Sequence, residues 1–340
     1  MTAAPVLVSR THLEASDGRA AGVVLNSGNA NAATGAPGVD HARRMAAATG
    51  AALGCRTEEV LVCSTGLIGL PLVIEPVETG LPDLVDGLSV DGGRAAAEAI
   101  LTTDTVTKEV VVPCGQATVG GMAKGAAMLA PNMATMLAVL ATDAEADPGV
   151  LGEVLRAGVA DTFNALVVDG ATSTNDTALL LASGRAGPVG ADDLAGAVLE
   201  ACASLAHQMA ADAEGATKVV RITVSGAADG ADARQAARAV AYSQLTKCSW
   251  YGERAYWGRV ASDVGSSGAR FDQERLTVTY GGVAVAAGGM AVDHDVAAVA
   301  AHMEGRDLEL GVDLGLGEGR AEVLTTDLTH AYIDENMGDS

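Results

Sequence analysis

The sequence predicts a mixed α/β protein, and three observations carry that expectation. Strand-like apolar runs alternate with helix-like stretches along the chain, as where "AAGVVLNSGNANAATG" leads into "VDHARRMAAATGAALG". Hydrophobic residues make up 49% of 340 residues, which suffices for one large or two modest domains with an ample core. Only 3% of the chain is aromatic, so that core must be built from Ala, Val, Leu and Met.

Taken in order, residues 21 to 25 read as a strand running into a Gly/Asn-rich turn, and the Ala-rich stretch after it as a helix stopped by Gly54. "EVLVCSTGLIG" repeats the strand-into-turn design, and "EVVVPCGQATVGGMAKGAAML" reads as two short strands around a turn. "TMLAVLAT" reads as a buried strand that follows directly on Pro131 and Asn132. Asp147 is the expected N-cap, with Pro148 at the first helical position, of "DPGVLGEVLRAGVADTFNAL". Further helices are expected at "ADDLAGAVLEACASLAHQMAADA" and "ADARQAARAVAYSQL", and strands at "TKVVRITVSG", "RLTVTYGGVAVA" and "RAEVLTTDL". No repeat, low-complexity block or linker stands out; the weakest point for a boundary is "SGAADGADA" at 225 to 233.

Composition and motifs exclude several classes. Lys and Arg number 21 against 43 Asp and Glu, a net charge of -22 that repels phosphate backbones and anionic headgroups. Nucleic acid and membrane surfaces are therefore not the expected partners. The N-terminus lacks a charged segment followed by a long apolar stretch, and no window reaches the roughly 18 apolar residues of a spanning helix, so the chain reads as soluble and cytoplasmic. Its five cysteines are scattered without C-x-x-C spacing and its six histidines are isolated from one another, which argues against disulfides and a metal site. There is no G-x-S-x-G elbow; "GLGEGR" lacks the helix of a dinucleotide site and "GQATVGG" the Lys-Ser/Thr of a P-loop, so both read as turns. No cofactor is expected.

What remains is hydroxyl chemistry that needs no His. A Thr side chain is a weak nucleophile unless a base lies beside it, and a Thr at the start of a chain has one in its own α-amine. That amine has a pKa of about 7.7 to 8.0, close to working pH. Thr135 is internal, so cleavage between Ala134 and Thr135 would have to create the amine. A rigid turn at Pro131-Asn132 and a buried strand after Thr135 suit such self-cleavage. The same residues also describe a plain core strand preceded by a turn.

The stretch "KGAAMLAPNMATMLAVLATDA" resembles the autoproteolytic segment of the ornithine acetyltransferase family (glutamate N-acetyltransferase, the ArgJ family). Blocks in the same order extend the resemblance over nearly the whole chain: "LNSGNANAATG", "VLVCSTGLIG", "ILTTDTVTK", "VVDGATSTNDTALLLASG", "AEGATK" and "WGR". It implies an αββα-type sandwich of N-terminal-nucleophile-like ArgJ/DmpA architecture, with 1–220 as the catalytic sandwich and 221–340 as a smaller C-terminal lobe. It also implies Thr135 as nucleophile, Thr65 and Gly66 as oxyanion hole, and Thr102 or Thr103, Lys124, Glu214, Asn336 and Ser340 as substrate-binding residues. The implied reaction moves the acetyl group of N-acetylornithine to glutamate through acetyl-Thr135, and the implied assembly pairs the cleaved chains as α2β2. An aminopeptidase or amidase of the same architecture, or an inactive paralogue, are the rival expectations.

The chain also departs from the family's wording. It begins about where the family's first motif-poor stretch ends, "YSQLTKCSWYGERAYWGR" replaces the commoner pattern around W-G-R, and Ala171 stands where Asp is usual. Such departures resemble divergent members from secondary-metabolite clusters, including clavam clusters.

Overall fold

The computed structural model describes residues 1–129 and 136–338. The turn expected at Pro131-Asn132, the cleavage site expected at Ala134 and Thr135, and Ser340 lie outside the described residues. In chain order the elements are α1 (Ala4–Ala15), β1 (Gly22–Asn26), α2 (Gly35–Leu53), β2 (Val60–Ser64), α3 (Glu75–Asp86), α4 (Gly93–Ala99), β3 (Lys108–Cys114), β4 (Ala117–Lys124), β5 (Leu137–Glu145), α5 (Pro148–Ala160), β6 (Leu166–Val167), β7 (Thr177–Pro188) and α6 (Ala191–Ala211). They continue as β8 (Val219–Ala227), α7 (Gly230–Tyr242), α8 (Gln244–Tyr251), α9 (Trp257–Ser266), β9 (Thr277–Tyr280), β10 (Val283–Ala287), β11 (Met290–Ala291), α10 (Val296–Glu304), β12 (Asp307–Asp313), β13 (Gly319–Thr326) and α11 (His330–Glu335). The chain is thus mixed α/β, and it divides into two compact units.

The first unit holds 1–160 and 171–205. Strand β2 explains its layering, because all five of its residues are buried and successive side chains of a strand point to opposite faces. Val60 and Val62 pack with Val24 of β1 and with Val8, Met45 and Leu81 from α1, α2 and α3. Leu61 and Cys63 point the other way and meet Leu137 of β5 and Leu179 of β7. Helices, a parallel β1–β2 pair and a four-stranded sheet of order β3-β4-β5-β7 are stacked by that alternation. An open edge on β2 would be a liability, and α1 closes it: the Ser9 hydroxyl donates to the Val62 carbonyl (2.8 Å) and accepts from its N–H (2.7 Å), while His12 Nδ1 lies 2.8 Å from the Val60 carbonyl.

The second unit holds 161–170 and the chain from 206 onward. Its sheet has the order β11-β10-β9-β12-β8-β13-β6. Helix α7 packs on β8 and β13 through small residues, Ala233, Ala236, Ala237 and Val240, all fully buried. Buried Trp250 and Tyr280 complete this core.

Four expectations are corrected. The division expected at 220/221 falls inside β8, because the chain passes between units within α6 and because 161–170 enter the second unit, where β6 pairs with β13. The stretch 225–233 is no boundary but a β8–α7 turn, in which Asp229 caps α7 by accepting from Ala231 N (2.8 Å) and Asp232 N (2.9 Å). The single helix expected over 231–245 breaks at Ser243, whose hydroxyl accepts from Thr246 N (3.2 Å) and starts α8. In "GQATVGG" only Gly115 and Gln116 turn, and Ala117 already opens β4. Among the described residues no helix is long and apolar enough to cross a membrane.

Candidate active site

In the first unit, β2 delivers Thr65 and Gly66 just past its end. Thr65 is fully buried, and Gly66 has φ +124°, a backbone conformation open to glycine. A Cβ at Gly66 would lie 2.3 Å from the Gly28 carbonyl carbon and 2.6 Å from Asn29 N, so the β1 turn presses on it too closely for any side chain. Asn26 and Ser64, side by side in the β1–β2 register, are joined by a side-chain hydrogen bond. This turn therefore holds a buried hydroxyl and the adjacent backbone N–H in one fixed place.

Lys124, the last residue of β4, reaches the same place. It is 3% exposed, and its ammonium donates to Thr102 Oγ1 (2.7 Å) and lies 3.4 Å from Thr65 Oγ1 and from Asp104 Oδ2. Asp104 is shared: its other oxygen accepts from the fully buried Lys108 (2.7 Å) and from Gly125 N (2.7 Å). Burial alone would push the Asp104 carboxyl up, but the two ammoniums and these hydrogen bonds outweigh it and hold the group below the usual carboxylate range. Of the two threonines left open by sequence, Thr102 is the one bonded to Lys124, and Thr103 is an exposed neighbour. Lys124 pairs in register with Leu137 at the start of β5, so the cluster sits where the chain emerges just after Thr135.

Sequence reasoning missed Asp104 and Lys108, although both stand inside the quoted "ILTTDTVTK" block. It also passed over Asn175 and Asp176. Asn175 donates from Nδ2 to the carbonyls of Ala30 (2.6 Å) and Ser64 (2.9 Å), and Asp176 Oδ1 accepts from Met136 N (3.1 Å). Burial pushes the Asp176 carboxyl up to about 7, against the Met136 N–H and the Ser173 hydroxyl that favour its charged form.

The second unit holds Glu214 and Asn336. Glu214, between α6 and β8, is 7% exposed and accepts from Asn336 Nδ2 (2.7 Å). It lines a cavity of about 100 Å³ with Asp169, Tyr242, Lys247, Asp327 and Tyr332. Lys247 is bound there by the carbonyls of Val168 (2.7 Å) and Thr326 (2.8 Å). Burial lowers its ammonium to about 7, with Asp327 and Asp169 acting in the opposite sense.

Comparison with known proteins matches residues 1–338 to the model of the ArgJ family. The chain is 50% identical over 345 aligned positions to the arginine biosynthesis bifunctional protein ArgJ of Mycolicibacterium paratuberculosis, covering 98% of this chain and 84% of that protein. Identity to the protein of the same name from Thermobifida fusca is 46%, covering 98% of this chain and 86% of that protein. A crystal structure of the arginine biosynthesis bifunctional protein ArgJ from Bacillus halodurans superposes with a TM-score of 0.55 at 33% identity, over 57% of this chain and 95% of that one.

Proposed function

Since the chain belongs to the ArgJ family, we propose that it is an acetyltransferase of arginine biosynthesis that moves the acetyl group of N-acetylornithine to glutamate by way of Thr135. The observation that carries this reading is the buried Lys124 ammonium beside Thr65 and Thr102, with the Gly66 turn next to it, at the end of β5 nearest Thr135. In the first step the Thr135 hydroxyl attacks the Ala134 carbonyl, the peptide C–N bond breaks and an ester forms. Water then hydrolyses the ester, leaving an Ala134 carboxylate and a free Thr135 amine. That amine takes the hydroxyl proton as Thr135 attacks the acetyl carbonyl; Thr65 and the Gly66 N–H receive the developing oxyanion, and ornithine leaves with a proton on its amine. Glutamate's amine finally attacks acetyl-Thr135 and restores the hydroxyl.

Cleavage at 134/135 falls between β4 and β5, which pair from Val119↔Thr142 to Lys124↔Leu137. The two products therefore remain held together by a six-pair ladder, and pairing of two such heterodimers as α2β2 in the cytoplasm belongs to the same proposal. Glu214 with Asn336, and Ser340, are assigned to the substrate's polar groups.

The test is Thr135→Ala followed by denaturing electrophoresis and mass spectrometry. Wild type runs as 1–134 and 135–340, and brief exposure to N-acetylornithine adds one acetyl group to residue 135; the variant stays intact and takes up none. An intact wild type with full transferase activity, or an acetyl group elsewhere, overturns the reading. Offering the acetyl-enzyme glutamate or water separates transfer from hydrolysis.

A further inference from the structure

Two consecutive buried residues tie the oxyanion turn to the strand that follows the nucleophile. Asn175 is 2% exposed and Asp176 6%. Both N–H groups of the Asn175 amide are spent on carbonyls of the first unit, those of Ala30 and Ser64, and its Oδ1 accepts from Thr174 Oγ1 (2.6 Å). Ser64 immediately precedes Thr65, and Ala30 belongs to the turn whose Gly28 and Asn29 press on Gly66. That turn is strained, with Asn31 at φ +46° and Ala33 at φ +58°, a cost that persists only where surrounding bonds enforce it. Asp176 faces the other way: it accepts from Met136 N, and the Thr177 N–H donates to the Met136 carbonyl (3.1 Å).

We propose that Asn175 and Asp176 are positioning residues of the acyl transfer, Asn175 fixing the Thr65–Gly66 turn and Asp176 fixing Met136, so that the oxyanion donors and the residue after the nucleophile keep one mutual geometry. The inference rests on Thr135 being the nucleophile. Each acts through the backbone it holds. Placement of this kind matters because oxyanion donors act only within about 2.7 to 3.1 Å of the developing charge. Asp176 works here as an acceptor for a backbone N–H. What the Met136 N–H needs is an acceptor oxygen, which either protonation state of the carboxyl supplies, so a neutral amide with a carbonyl oxygen in the same position serves the same purpose.

The experiment compares Asn175→Ala, Asp176→Ala and Asp176→Asn in the full chain, reading self-cleavage, thermal melting, and kcat and KM for N-acetylornithine. Asn175→Ala is expected to lower kcat roughly 10²-fold with KM within about threefold of wild type. Asp176→Ala is expected to lose about tenfold or more in kcat or in cleavage rate, and Asp176→Asn to restore both to within about threefold. Folded Asn175→Ala with lowered melting temperature and unchanged kcat overturns the proposal. If that variant does not fold, the Asp176 pair decides: equal activity of Ala, Asn and wild type, or loss in both without rescue, overturns it. A wild type that never acetylates Thr135 sinks the underlying function instead, and is recognised from the wild-type mass spectrum alone.

Discussion

Asp104 and Asp176 are two buried carboxyls of the same unit that meet opposite fates. Each accepts a backbone N–H, from Gly125 at 2.7 Å and from Met136 at 3.1 Å. Around Asp104 stand two ammoniums, Lys108 at 2.7 Å and Lys124 at 3.4 Å, and its carboxyl is held below the ordinary range despite burial. Around Asp176 the favourable partners are hydrogen-bond donors, and burial wins, taking it up to about 7. Hydrogen bonds alone do not keep a buried acid ionised here; fixed cations do. One carboxyl anchors charge beside Thr65, and the other is suited to hold backbone.

The largest expected effect breaks the cationic side. Asp104→Ala removes the carboxylate that two buried ammoniums share, and should cost about 3 to 5 kcal/mol of stability, read as a lower denaturant midpoint. A variant that unfolds with wild type would show that the lysines do not depend on Asp104. Next in size, Thr65→Ala deletes a hydroxyl but leaves the Gly66 N–H, so kcat should fall roughly 10²-fold with little change in KM. An unchanged kcat would reduce Thr65 to a turn residue.

A third test sharpens the other side. A carboxyl raised in the folded state binds its proton more tightly there, so wild type should lose stability as pH climbs from about 3.9, the unfolded value, to about 7, with no further change from this group above that. Asp176→Asn removes this contribution. The difference between variant and wild type should therefore grow in the variant's favour across that window and then level off. Parallel curves from pH 4 to 8 would mean that Asp176 is not raised at all.

Elements whose signal is local were legible in the sequence. The apolar run of β2 ending in Ser-Thr-Gly, the paired β3 and β4, and Lys124 as a lone cation in apolar surroundings all announce themselves within a few residues. Helix α3 was not expected: Gly80 and Pro82 interrupt it, and Leu81 is its one buried residue among those described. Strand β12 was missed because Gly311 sits mid-strand, where a glycine weakens the strand signal and a Cβ would crowd the Thr279 hydroxyl on the neighbouring strand. Asn175 and Asp176 were hidden for another reason. Their partners stand far away in sequence, Ser64 by 111 positions and Met136 by 40, and a single sequence carries no trace of such pairings.

The short passage 161–170 bears on how the protein is made. Leu166 of β6 pairs with Leu324 of β13, and among the described residues β13 is the only sheet neighbour β6 has. On the ribosome, β6 leaves the exit tunnel long before its partner is synthesised, while 171–205, needed by the first unit, follow it directly. The growing chain must then tuck 171–205 into the first unit around a segment that has nothing yet to bind. Closure of so long a loop is slow, so a nascent chain stalled ahead of Gly319, where β13 begins, would keep β6 waiting for its sheet neighbour.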